Sequence, residues 1–310
     1  MPEVPSRVRI VEVGPRDGLQ NEPTDIPTDV KVRFVDLLTD AGLGTVEVTS
    51  FVHPKLVPRM ADADVVFPAV HKAPGVRYVA LVPNPRGLER ALRAGAREVA
   101  LFTAATESFA RANINRSVAE SLEDARAVIA ACKPRGVAVR AYVSVAFGCP
   151  FEGAVSPAAV AAVSQRLLAL GADEIGIGDT IGVATPGDVH RLLDALLAVA
   201  PADVWGMHFH DTRGTALANV LASLGRGVTT FDASAGGLGG CPFAGPDAAG
   251  NLATEDLVYM LDGMGFNHGV DLDRVLAASR LIAASVDHPL RSRVYQAGGR
   301  PRPRAAAPVP

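Results

Sequence analysis

Short β-rich runs alternate with longer Ala/Leu-rich runs of helical character along almost the whole chain, and the alternation repeats eight times. The strand candidates are 8–13, 45–49, 76–82, 98–102, 137–145, 174–178, 204–208 and 229–233. Helix candidates lie between them at 28–41, 61–72, 86–94, 117–133, 157–170, 186–199 and 213–225. Ser156-Pro157 and Thr185-Pro186 are suitable helix starts, a capping hydroxyl followed by a proline in the first turn. Gly42, Gly95, Gly136, Gly171 and Gly225 are suitable stops. Strict β-then-α order predicts a parallel sheet with right-handed crossovers. Eight such units close into a (β/α)8 barrel, the TIM-barrel form of the α/β class. An open doubly wound sheet competes, but its G-x-G-x-x-G fingerprint is missing after the first strand.

Length agrees with a barrel. The chain has 310 residues, and an α/β barrel commonly uses about 250 as one domain. We therefore expect one domain over 1–297, including extra C-terminal helices near 254–263 and 272–285 packed on the barrel. The Pro/Arg/Ala-rich stretch 298–310 is expected to be a disordered tail. Hydrophobic residues make up 48% and aromatics only 5%, so the core must be built from Ala, Val, Leu and Ile. That suits parallel strands buried on both faces. A net charge of −3, from 30 basic and 33 acidic residues, argues against a nucleic-acid groove. No apolar run reaches the roughly 18 residues of a membrane span. The first six residues are too few for a signal peptide before the first strand. Three cysteines, an odd number, point to a reducing compartment, with cytoplasm the expected location. Barrel enzymes with C-terminal helices commonly pair, so a homodimer is expected.

Active sites of such barrels sit at the C-terminal ends of the strands. Those ends collect Arg16 and Asp17 after the first strand, and Glu47 in the second. Asp179 follows the sixth, His208 and His210 the seventh, and Cys241 the Gly-rich loop after the eighth. In a strand, residues two apart share a face, so His208 and His210 can reach one cation. With Asp17 they offer imidazole and oxygen ligands, which suit Mg²⁺ or Mn²⁺, with Zn²⁺ a third candidate. Each residue also has a plainer reading. An isolated HxH is often accidental. Arg16-Asp17-Gly18 is also common turn chemistry, Glu47 can pair structurally with an Arg across the barrel, and Asp179 can cap the next helix. Most lone cysteines are inert and buried, but one following four glycines within five residues sits in a loop, where ligands approach.

At this point longer stretches match a known pattern. They are VEVGPRDGLQNE at 11–22, VEVTSFV at 46–52, GCPFEG at 148–153, GDTIG at 178–182, HFHDT at 208–212, GGCP at 239–242 and NLATED at 251–256. Over about residues 8–290 the chain resembles the hydroxymethylglutaryl-CoA lyase family. That family lies within a metal-dependent barrel group that also holds isopropylmalate synthase, homocitrate synthase and hydroxy-oxovalerate aldolase. The resemblance implies a divalent metal on Asp17, His208, His210 and Asn251, with Arg16 binding substrate and Cys241 catalytic. Glu47 and Asp179 match further polar positions of that site, and both are carried as catalytic candidates. Two departures stand out: Pro23 replaces a usual Lys, and the segment from Cys241 to Asn251, with Gly245-Pro246-Asp247, is one residue longer than usual.

The implied activity is retro-Claisen cleavage of 3-hydroxy-3-methylglutaryl-CoA to acetyl-CoA and acetoacetate, with an acyl-CoA thioester as the small-molecule partner. Arg16 would stabilise the enolate oxygen and Cys241 would return a proton to carbon. The initial base stays open among Asp179, Glu47 and a metal-bound histidine. Competing readings keep the barrel. They are a longer 3-hydroxy-3-alkylglutaryl-CoA, a hydroxy-oxo-acid aldolase without need of the Cys241 loop, and a condensing synthase. The synthases usually carry a further C-terminal domain, for which 310 residues leave no room. A non-enzymatic metal-binding regulator would fit only if site positions were missing, and every one is present.

Overall fold

The computed structural model describes residues 7–240 and 249–301. Its strands are β1 (Arg9–Glu12), β2 (Thr45–Ser50), β3 (Arg77–Leu81), β4 (Glu98–Ala104), β5 (Ala138–Ser144), β6 (Gly148–Cys149), β7 (Gly153–Ala154), β8 (Glu174–Asp179), β9 (Trp205–Phe209) and β10 (Thr230–Ala233). Eight of them form one closed barrel in the order β1-β10-β9-β8-β5-β4-β3-β2. Every barrel pairing is parallel. The short antiparallel β6–β7 pair lies in the connection after β5. The sequence did not suggest it, because two-residue strands leave no periodicity to read.

The helices are α1 (Thr28–Asp40), α2 (Ala63–Ala69), α3 (Pro85–Arg93), α4 (Glu107–Ile114), α5 (Val118–Cys132), α6 (Pro157–Leu170), α7 (Pro186–Leu197), α8 (Ala216–Leu224), α9 (Thr254–Gly263), α10 (Leu272–Ala283) and α11 (Arg293–Gln296). Their starts follow local chemistry. Ser156 accepts from the amide of Ala159, and Thr185 forms a reciprocal box with Asp188. Gly225 closes α8 as expected, though with an ordinary helical φ of −63°, and the left-handed residue that follows is Gly227, at φ 84°. The helix α4 was not anticipated; Asn115, left-handed at φ 53°, separates it from α5. At the C-terminus, α10 packs on α1. The amides of Gly298 and Gly299 still bond back to Tyr295 and Val294, beyond where the tail was expected to begin. No helix among the described residues is long and apolar enough to cross a membrane.

Apolar residues on the outward faces of the strands pack against the helices and form the main core. Within the barrel only a small apolar cluster exists, built from Val79, Leu81, Ala100 and Tyr142. The rest of the interior is polar. Arg140 and Tyr142, two apart on β5, both point inward, and the guanidinium lies 4.8 Å from the centre of the tyrosine ring. Neighbouring strands make room with glycine. A Cβ at Gly176 would stand 2.4 Å from Tyr142 Cδ1, and one at Gly206 would stand 2.4 Å from Arg140 Nη2.

These contacts give opposite expectations for two glycines. Gly206→Ala should lower unfolding free energy by about 1–3 kcal/mol, because Arg140 must leave a fully packed position. Gly225→Ala should raise it by roughly 0.4–1 kcal/mol, since an unstrained helical residue loses unfolded-state freedom. Urea unfolding of both variants checks this. Equal effects would show that the barrel interior yields freely around Arg140.

Candidate active site

The loop after β1 is a π-helical turn, Gly14–Gly18, in which the amides of Arg16, Asp17 and Gly18 converge on the Val13 carbonyl at 3.1, 2.7 and 3.2 Å. Such turns re-aim side chains, and here the turn delivers Arg16 and Asp17 to the barrel mouth. From the seventh barrel strand, β9, the two-residue period turns His208 and His210 to one side, while Phe209 is buried in the outer core. The Nε2 atoms of the two histidines are 3.2 Å apart, and Asp17 Oδ2 is 4.0 Å from His208 Nε2. One ligand-type atom from each of Asp17, His208 and His210 lies within 4.8 Å of the other two.

A closed circuit of polar contacts runs beneath this cluster. Arg16 donates to both Asp17 and Glu47. Glu47 Oε2 accepts from the Tyr142 hydroxyl at 2.9 Å, and that hydroxyl accepts from Arg140 Nη1 at 3.1 Å. Arg140 Nη2 donates to Asp232 Oδ1 at 2.7 Å, and Asp232 Oδ2 lies 3.0 Å from His208 Nδ1. The circuit returns to Asp17 through His208. Glu47 is thus both a structural partner and a neighbour of the cluster, because the arginine it pairs with is Arg16.

Burial opposes the charge of Asp17, but Arg16 and the two histidines outweigh it and hold the carboxyl well below the usual range. Burial likewise opposes charge on His208, yet its bond to Asp232 raises the pKa above the ordinary value. His210 is pushed down to about 4 by burial and by the neighbouring His208. The pair therefore holds at most one added proton near neutrality. Asp179 ends β8, where its oxygens accept from the amides of Val183 and Ala184 at 2.9 and 3.1 Å. Burial outweighs those bonds and lifts it to about 6. Its oxygens are engaged by the loop after its own strand rather than by the circuit.

Asn251 reaches the cluster because residues 250–254 run beside the ends of β9 and β10. The Leu252 amide bonds to Phe209, that of Asp211 to Gly250, and that of Ser234 to Leu252. Asn251 Nδ2 donates to Asp17 Oδ2 at 2.8 Å and to the Leu238 carbonyl at 3.0 Å. Both neighbours are acceptors, so the donor end is drawn there. Cys241 lies outside the described residues. The neck of its loop is described. A Cβ on Gly250 would fall 1.5 Å from the Gly239 carbonyl oxygen, so the two backbones approach as only glycine permits. Asn21 Nδ2 donates to the Gly240 carbonyl at 3.0 Å.

Sequence reading passed over Arg140, Tyr142, Asp232, Glu12 and Glu255. For the four that lie in barrel strands a signal was present, since each polar residue there must face the interior or break the outer core, a test applied only to Glu47; Glu255 lies in α9 instead. Glu12 accepts from the amides of Gly14 and Ala235 at 2.8 and 2.9 Å and from the Thr254 hydroxyl at 2.7 Å. Glu255 accepts from the Gly236 amide and the Ser279 hydroxyl. Together these two carboxyls fasten the base of the glycine loop to the barrel.

Burial pushes Glu12 up to about 7 from 4.5. Between those values the folded protein keeps a proton that the unfolded chain has released, so its contribution to stability is lost as pH rises through that window. Glu12→Gln keeps the shape, with its oxygen toward the two amides and its NH₂ toward Thr254. The stability advantage of the parent over Glu12→Gln should therefore shrink as pH rises from 4.5 to 7. Urea unfolding at both ends of the window measures it, and an advantage that grows with pH would show that Glu12 is ionised in the fold.

The family model described as HMGL-like matches residues 7–282. The mitochondrial hydroxymethylglutaryl-CoA lyase of Rattus norvegicus is 50% identical over 297 residues, covering 96% of this chain and 91% of that one. The crystal structure of hydroxymethylglutaryl-CoA lyase from Pseudomonas aeruginosa aligns with a TM-score of 0.92 at 47% identity, covering 95% of this chain and 98% of that chain. An HMG-CoA lyase from Acinetobacter baumannii, in complex with coenzyme A and 3-methylmalate, aligns with a TM-score of 0.91 at 37% identity, covering 98% and 100%. Similarity of this depth, on the same closed barrel and over nearly the whole chain, makes this protein a member of the hydroxymethylglutaryl-CoA lyase family of carbon–carbon lyases.

Proposed function

We propose that this chain cleaves 3-hydroxy-3-methylglutaryl-CoA to acetyl-CoA and acetoacetate, using a divalent cation held by Asp17, His208, His210 and Asn251. The observation that carries the reading is the convergence of two imidazoles and a carboxylate beside Arg16 at the barrel mouth. The donor set fits a cation. Arg16 takes Asp17 Oδ1 and leaves Oδ2 toward His208, while Asp232 engages His208 Nδ1 and leaves Nε2 toward the cluster. Asn251 would join by rotating its amide. Oxygen and imidazole donors favour Mg²⁺ or Mn²⁺, with Zn²⁺ the alternative. The Acinetobacter relative, bound to coenzyme A and a small hydroxy-diacid, supports an acyl-CoA substrate.

A cation held by Asp17, His208, His210 and Asn251 would supply Lewis acidity to the reaction. The rest of the chemistry lies in the chain's own groups. Asp179, at about 6, accepts the C3 hydroxyl proton. Glu47, ion-paired with Arg16 and bonded to the Tyr142 hydroxyl, acts as a positioning residue. As the C2–C3 bond breaks, C3 becomes the acetoacetate carbonyl and the electron pair moves toward the thioester oxygen. Arg16, held rigidly between Glu47 and Asp17, donates there. Cys241 then delivers a proton to C2, giving acetyl-CoA. We read residues 1–297 as one lyase domain. A cytoplasmic location fits the free thiols of Cys132 and Cys149.

Three experiments test this reading. Among 3-hydroxy-3-alkylglutaryl-CoA thioesters with Mg²⁺ or Mn²⁺, the methyl compound should be cleaved best. Asn251→Ala should bind Mn²⁺ more weakly than the parent, and unchanged binding would remove Asn251 from the ligand set. Separately, Cys241→Ser should retain Mn²⁺ binding while kcat falls about 10²–10⁴-fold, the usual contribution of a general acid. Serine is nearly the same size but far less acidic, so an unaltered kcat would end the proton-delivery role.

A further inference from the structure

The circuit beneath the site contains a switch point for one hydrogen atom. His208 and Asp232 are opposite each other in the β9–β10 register, so both face the barrel interior. Asp232 Oδ2 lies 3.0 Å from His208 Nδ1, and Asp232 Oδ1 accepts from Arg140 Nη2 at 2.7 Å. Neither Asp232 nor Arg140 is more than 2% exposed. Arg140 is itself fixed, by the Tyr142 hydroxyl at 3.1 Å and by an ion pair with Glu174 at 2.9 Å.

We propose that Asp232 is a positioning residue that selects the Nδ1–H tautomer of His208, and that Arg140 makes the selection strict. The proposal rests on the cation reading above. A neutral imidazole carries one N–H, and the partner of one nitrogen decides the state of the other. A carboxylate oxygen only accepts, so Nδ1 must donate and Nε2 presents its lone pair to the cluster. A hydroxyl at position 232 would permit either tautomer. Arg140 matters because a guanidinium has five donors and no acceptor. It demands an acceptor at Oδ1, so the side chain at 232 cannot exchange its ends.

This geometry makes Asp232→Asn a change of one atom with a large expected consequence. The amide oxygen must face Arg140, since the opposite orientation would set two buried donors against each other. The NH₂ then faces His208 Nδ1, which must become the acceptor. The proton moves to Nε2, where it points at His210 Nε2, 3.2 Å away, and blocks the ligand lone pair. Volume and hydrogen-bond count are unchanged, so loss of packing cannot produce the same signature.

The test uses the full-length chain stripped of metal by chelation and held near about pH 8.5, above the ordinary imidazole range. Nitrogen-15 NMR of the histidine ring reads the tautomer directly. The parent should show His208 as Nδ1–H and Asp232→Asn as Nε2–H. Mn²⁺ titration followed by electron paramagnetic resonance should show about 10–100-fold weaker binding for Asp232→Asn, the usual size of an outer-shell effect. Adding Arg140→Gln to Asp232→Asn should restore part of that affinity, because glutamine can accept and lets the asparagine turn. Nδ1–H in Asp232→Asn, or undiminished Mn²⁺ affinity, would overturn the proposal. If the variant does not fold, the parent spectrum still decides, since Nε2–H there is equally fatal. If Asp17→Ala binds Mn²⁺ as well as the parent does, it is the cation reading that fails, and the tautomer measurement stands apart from it.

Discussion

The ion pair between Arg140 and Asp232 is the constraint around which the barrel interior is arranged. Both groups are buried, and each carries a charge that the interior opposes. A buried pair of this kind adds little net stability, but losing one partner strands the other at a cost of about 3–5 kcal/mol. The pair therefore cannot be varied piecemeal. It also dictates its surroundings. Gly206 and Gly176 leave the space that Arg140 and Tyr142 fill, on strands where a side chain would otherwise stand. From Arg140 the contacts pass one way through Tyr142 and Glu47 to Arg16, and the other way through Asp232 to His208. Two residues of the cluster mouth thus take their orientation from one guanidinium lower in the barrel.

A second pair of buried carboxyls sets the opposite side of the mouth. Glu12 ties Gly14, Ala235 and Thr254 together, so the turn carrying Arg16 and Asp17 shares an anchor with the start of the glycine loop. Glu255 holds Gly236 against Ser279 of α10, which brings the C-terminal helices into the support of the site. Unlike the Arg140 circuit, these carboxyls have hydrogen-bond donors but no cationic partner among the groups that shift them, and burial raises both to about 7. The base of the loop is thus fastened on both sides, and its neck is narrow where Gly250 meets Gly239.

The barrel was legible because its signal is repeated. Eight apolar runs separated by seven helical stretches allow errors of a residue or two at each end, and α9 matched its expected bounds of Thr254–Gly263. Single-residue inferences survived less evenly. His208 and His210 could be placed on one face because a strand has a fixed period. Asn251 could be placed near them, while which end of its amide faces the cluster depends on acceptors contributed by Asp17 and Leu238. Gly225 ends α8 as read, but composition marks a glycine without its φ, and the left-handed place falls to Gly227. Asp232 and Arg140 were passed over for a different reason. Each is polar within a strand, which points it inward, but only barrel closure makes the two partners.

Charge balance explains why the interior tolerates such a circuit. Arg16 and Arg140 stand against Asp17, Glu47 and Asp232, which leaves one negative charge when the histidines are neutral. In the proposed holoenzyme a divalent cation turns that into one positive charge at the mouth. The distal carboxylate of a 3-hydroxyglutaryl chain cancels it, so the filled site is close to neutral in a medium where net charge is costly. A dicarboxylate in the same place would leave the site negative again, and a substrate without the carboxylate would leave it positive. Replacing either arginine by a neutral residue would leave the cluster two negative charges, which strengthens cation binding but opposes the enolate that must form beside Arg16. On the proposed chemistry the arginines would therefore serve turnover at the expense of cation affinity.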